Sequence, residues 1–96
     1  MPADPDTDFF SRADAHIKLA NEQMQSATRG KVSASTLYAA ARFNAWVSAC
    51  GFASGAEMAE RKADAVSYFV EQYKKMLEEN IDDYVANFER YMKPGA

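Results

Sequence analysis

The sequence contains little of what small proteins use for covalent or metal-based chemistry. Of its 96 residues, one is cysteine and one is histidine. A lone cysteine, Cys50, cannot form a disulfide within the chain, which is typical of proteins from a reducing compartment. No run approaches the about 20 apolar residues that a membrane-spanning helix needs, and the first residues are acidic rather than apolar, unlike a secretory signal. We therefore expect a soluble, cytoplasmic protein that makes no membrane contact.

A concentration of positive charge is also lacking. The formal net charge is −3, and residues 56–96 hold nine acids against six bases. Because nucleic-acid binding requires a basic patch, we expect no nucleic-acid partner. The acidic run Glu78–Asp83 matches neither an EF-hand loop nor the Glu-x-x-His pattern of di-iron bundles, so we expect no metal and no cofactor. Neither Cys50 nor His16 has a recognisable catalytic partner, and both are expected to be structural, Cys50 buried and His16 half-buried.

What the chain does contain is apolar residues at helical spacing, within a composition that is 48% hydrophobic. Spacings of three and four predict a first helix from about Thr7 to Arg29, stopped by Gly30. A second helix is predicted from a Ser33 cap to Cys50. Because apolar residues lie nearly all round this second helix, we expect it to be central, with Trp46 buried against its neighbours.

The start of a third helix carries the clearest local signal. Ser54 and Glu57 have the spacing of a capping box, in which each side chain bonds the other residue's backbone N–H. No proline or glycine follows until Pro94, which predicts one helix of about 37 residues and about 55 Å. Asn80 is the one position where a new helix could begin, and a break there would fold the last segment back.

These elements predict an all-α fold: a three-helix assembly with a long C-terminal helix, or a four-helix bundle if that helix breaks near Asn80. Residues 1–6 are expected to form a disordered tail, residues 7–93 a single helical domain, and residues 94–96 a short C-terminal tail.

Several blocks of the sequence resemble a family of short bacterial helical proteins known only as a domain of unknown function. The blocks are RADAHI at 12–17, GKVS at 30–33, YAAARFNAWVSACGF at 38–52 and YFVEQYKKMLEENIDDY at 68–84. The resemblance covers roughly residues 8–92. It implies a bacterial source and a helical fold, and it implies no activity, substrate or cofactor.

One candidate ligand site lies on the second helix. Arg42 and Asn44 are polar residues within its most apolar stretch, and Trp46 follows them. An arginine beside an aromatic ring in a small pocket would bind an anion or a carboxylate. The alternative is that Arg42 makes a structural ion pair or lies on an exposed strip of the helix.

A candidate interface lies on the far half of the third helix, which two shorter helices cannot cover. Left bare, this half would expose more apolar surface than a monomer normally does. We therefore predict a non-enzymatic interaction or self-association module, most simply a homodimer in which an antiparallel copy brings the acidic run near Arg90 and Lys93. The alternatives are another protein partner, or a small-molecule binder or minor enzyme at Arg42. The predicted interface residues are Ile81, Tyr84, Val85, Phe88 and Met92.

Overall fold

The computed structural model describes residues 6–93, and over this range it contains helices and turns but no strand. The all-α prediction is thus confirmed. The predicted tails lie mainly outside the described residues. Three long helices and two short ones follow one another along the chain: α1 (Phe9–Gln23), α2 (Arg29–Ala49), α3 (Gly55–Glu60), α4 (Lys62–Ala86) and α5 (Phe88–Met92).

Backbone contacts group the chain into two units that divide between Ala45 and Trp46. The first unit holds α1 and most of α2. The connection between these two helices comes earlier in the chain than predicted, because α1 ends at Gln23 and a turn follows. The helix α2 then begins at Arg29, where the Thr28 hydroxyl accepts a hydrogen bond from the Lys31 N–H at 3.4 Å. Gly30 is therefore inside a helix and does not stop one.

The second unit holds the end of α2 together with α3, α4 and α5. One half of the predicted capping box is confirmed: the Glu57 N–H donates to Ser54 Oγ at 3.1 Å. The Glu57 side chain reaches one residue further back than predicted, because its Oε1 accepts from the Ala53 N–H at 2.9 Å. Each short helix packs on α4.

The predicted single third helix is wrong in its length. It is interrupted at Arg61 (φ −107°, ψ 10°) and at Asn87 (φ −122°, ψ 25°). Between these points α4 runs unbroken through Asn80, whose side-chain N–H donates to the Met76 carbonyl at 2.7 Å. Its 25 residues span about 38 Å at the helical rise.

Neither unit buries a core of its own. Among the described residues only Val32, at 5% exposure, is buried. Trp46 is 62% exposed, so the prediction that it is buried is wrong for the single chain. Cys50 and His16 are exposed as well, contrary to their predicted burial. Within residues 6–93, none of the helices combines the length and apolarity needed to span a bilayer.

Candidate functional site

A regular apolar surface runs along α4. It consists of six residues separated by four, three, four, four and three positions. At about 100° per residue, all six lie within about 40° of Leu77 around the helix. Each is between 44% and 60% exposed. We call this surface the α4 stripe; its members are Val66, Val70, Tyr73, Leu77, Ile81 and Tyr84.

Two of the five predicted interface residues, Ile81 and Tyr84, belong to this stripe. Val85 is 74% exposed, but it lies about 80° from Leu77 around the helix and thus at the border of the stripe. Phe88 and Met92 are about half exposed on α5, beyond the break at Asn87. The predicted interface is therefore divided between two helices, and the straight part of the apolar surface lies nearer the N-terminus than predicted.

The turn between α4 and α5 is held by Asp83. Its Oδ1 accepts from Asn87 Nδ2 at 2.9 Å, and its Oδ2 accepts from the Tyr91 hydroxyl at 2.9 Å. The centroids of the Tyr91 and Tyr84 rings lie 4.8 Å apart. These contacts fix α5 against the end of α4 and make Asp83 a structural acceptor.

The rest of the acidic run does not converge on a point. Among residues 6–93 there is no group of three or more histidine, cysteine, aspartate or glutamate side chains that could hold a metal ion. In physical terms, carboxylates on successive turns of one helix spread around its surface and cannot surround a cation.

The candidate ligand residues do not share one side of α2. Trp46 follows Arg42 by four positions and lies about 40° from it, whereas Asn44 lies about 160° from both. Arg42 and Trp46 are exposed and Asn44 is half-buried. Binding of an anion or carboxylate at these residues stays a prediction.

A groove that sequence reasoning missed lies within the second unit. It is open to solvent and has a volume of about 420 Å³. Arg61 and Asp64 form an ion pair at 3.4 Å on its lining. The cap at Ser54 and the helix break at Arg61 together place α3 against α4. The cap can be predicted from the sequence, but the break cannot. The remaining lining residues are Val47, Ser48, Phe52, Ala65, Tyr68 and Phe69.

One carboxyl group has a displaced pKa. Arg12 donates a hydrogen bond to the Asp6 carboxylate, and this bond is the main reason why the pKa of Asp6 is lowered. The Asp8 N–H, which donates to Asp6 Oδ1 at 3.2 Å, acts in the same direction. Asp6 is exposed, so the pair organises the start of α1 and does not form a reactive site.

Comparisons with known proteins agree with this helical chain and add no activity to it. The model of a family described as "Protein of unknown function (DUF3144)" matches residues 9–85. The NMR structure of the protein NB7890A from Shewanella sp is 39% identical, with a TM-score of 0.76 over 91% of this chain and 93% of that chain. No functionally curated protein matches.

Proposed function

The chain belongs to this family of unknown function, and we propose from its exposed apolar surface that it is a non-enzymatic self-association module. The observation that carries the proposal is the missing core. Val32 is the one buried side chain among residues 6–93, while apolar residues such as Ile17, Leu37 and Ile81 remain more than half exposed. Apolar surface of this extent is stable in water only if something covers it.

Exposed apolar residues occur in both units. Ile17 and Leu37 lie in the first unit, Val70 and Ile81 lie in the second, and each is more than half exposed. Obligate homodimers cover such residues with interfaces that bury about 2,000–5,000 Å² in total.

A second copy is the partner that we propose, because it is always present at the concentration of the protein itself. Two-fold dimers are the most common homo-oligomers. Helices that gain most of their burial from a second chain form obligate dimers, in which folding and association are coupled. We therefore infer that the folded unit is a dimer.

The experiment is sedimentation velocity of the full chain across micromolar concentrations, with far-ultraviolet circular dichroism on the same samples. The proposal expects a species of twice the chain mass of 10.7 kDa, with helical signal that falls when dilution dissociates it. A helical monomer at every concentration would overturn the proposal and would favour a different protein as the partner.

A further inference from the structure

We propose that the α4 stripe pairs with the same stripe of a second copy, antiparallel, about a two-fold axis at the level of Met76. In this arrangement Lys74 of each copy lies beside Glu78 of the other. The inference rests on the proposed self-association and adds which helix pairs, in which direction and in which register.

The α4 stripe has the shape that such a pairing requires. It runs from Val66 to Tyr84 without a charged member, over about 27 Å of straight helix. The hydrogen bond from Asn80 to the Met76 carbonyl lies inside this span, and the helix continues through it. A second helix can therefore contact the whole stripe at the usual interaxial distance of about 8–10 Å.

The stripe residues interleave when the helix is reversed about Met76. Relative to Met76 they lie ten, six and three positions before it and one, five and eight positions after it. Reversal places each stripe residue of the second copy one or two positions, about 1.5–3 Å, from those of the first along the helix, so that no two stand at the same height. Side chains that alternate along a seam in this way fill one another's gaps, as in packed helix pairs.

The charges beside the stripe fit the same register. Lys74 and Glu78 lie on one flank, about 60° and 100° from Leu77, and stand two positions before and two positions after Met76. A two-fold axis perpendicular to an antiparallel pair turns each flank toward its own copy, so Lys74 meets Glu78 twice. Neither residue forms an ion pair with another described residue of its own chain.

A parallel pairing lacks this complementarity. It would turn the Lys74 flank toward the opposite flank of the second copy, where Asn80 and Met76 lie at this level and carry no charge. An antiparallel register in which the acidic run meets Arg90 and Lys93 would place the axis near Ala86, at the end of α4. There the helix is broken at Asn87, and Lys93 lies 3.8 Å from Glu89 of its own chain. The antiparallel register about Met76 is thus the one that the contacts favour.

Disulfide formation between engineered cysteines tests direction and register together. Cys50→Ser first removes the exposed native thiol. In the proposed dimer the two copies of residue 77 are offset by about 3 Å along the helix axis. Their Cα atoms are then about 5 Å apart, within the range of a disulfide. The two copies of residue 81 are offset by about 15 Å and are out of range.

We therefore expect Leu77→Cys to cross-link on mild oxidation and Ile81→Cys to stay reduced. Cross-linking at both positions would indicate a parallel pair, and cross-linking at neither would place the contact on another face. Either result overturns the inference. Sedimentation of the Cys50→Ser chain, measured alongside, reports whether it is a dimer at all, so failure of the register is distinguishable from failure of the proposed function.

Charge exchange gives a second, independent test on the same flank. Lys74→Glu turns two attractions into two repulsions, so we expect the dimer dissociation constant to rise about thirtyfold. Adding Glu78→Lys should restore it to within about threefold of the original. The matched control is Lys75→Glu with Glu79→Lys, the same exchange one residue further along and on the face turned away from the stripe. Equal effects on both faces, or no rescue by the double exchange, would overturn the register.

Discussion

Ile81→Asp places a carboxylate within the α4 stripe and should dissociate the dimer. Ile81 is 54% exposed in the single chain, and burying an isoleucine completely contributes about 1.5–3 kcal/mol. Covering the exposed half therefore contributes about 1 kcal/mol per copy, or about 2 kcal/mol per dimer. Each aspartate adds a penalty of about 1–3 kcal/mol for burying a polar group without a partner. The loss is at least about 4 kcal/mol, which raises the dissociation constant about a thousandfold or more.

The assay is sedimentation velocity from micromolar to submillimolar concentration, with circular dichroism to follow the helices. Because neither unit buries a core, we expect the variant to lose helical signal as it loses mass. The matched control is Gln72→Asp, which introduces the same residue at an exposed position of α4, about 140° from Leu77 around the helix, and should leave the dimer unchanged. A dimer that survives Ile81→Asp, or that responds equally to Gln72→Asp, would refute the reasoning.

Three further outcomes follow from local structure. A Cβ added at Gly30 would meet no atom within 4 Å. Because Gly30 is the second residue of α2, Gly30→Ala should stabilise the protein by up to about 0.5 kcal/mol, less than in a helix interior; a lower melting temperature would contradict this. Arg12→Ala removes the main cause of the lowered Asp6 pKa, so the NMR titration of that carboxyl should shift upward. A carboxyl group whose pKa is lowered on folding stabilises the folded state at every pH above its unfolded-state pKa. This stabilisation is lost as the pH falls through the folded-state pKa, so the start of α1 should loosen only in acid. Millimolar magnesium, calcium, manganese or zinc should leave the melting temperature unchanged, because the acidic run has no converging ligand set; a shift of several degrees that disappears in Glu79→Gln would show otherwise.

The parts of the fold that could be predicted from sequence are those set by neighbouring residues. The capping box works within four positions: Ser54 caps the Glu57 N–H as predicted, and the Glu57 side chain accepts from Ala53, one residue before the predicted donor. Helical periodicity likewise predicted helix over the range of α4, and of the two alternatives left open at Asn80 the structure has the continuous helix. Both signals depend on local backbone geometry, which a short segment specifies by itself.

Helix ends were harder to predict because several residues compete for them. Glycine is a common residue at the end of a helix, yet Gly30 follows Thr28, which caps the start of α2. The break at Asn87 has no proline or glycine. Its side-chain N–H group donates to both the backbone carbonyl and the carboxylate of Asp83, which offers the backbone an alternative to continuing the helix.

Burial was the property that the sequence could not predict for a single chain. The apolar surround of Trp46 implies that something covers it, but not whether the cover belongs to the same chain. The α4 stripe shows why: its periodicity would be the same for a residue packed inside a monomer and for one packed against a second copy. The division of the predicted interface between α4 and α5 depends on the Asn87 break, which periodicity does not report.

The central claim is that this chain completes its core against a second copy, and the concentration dependence of its thermal unfolding tests it most directly. For a dimer of two 96-residue chains that unfolds as it dissociates, a hundredfold increase in concentration stabilises the dimer by about 2.7 kcal/mol, which raises the melting temperature by about 5–8 °C. We expect that rise, together with a dimeric mass below the transition. A melting temperature that stays constant over the same range, with the mass of a single chain throughout, would contradict the account.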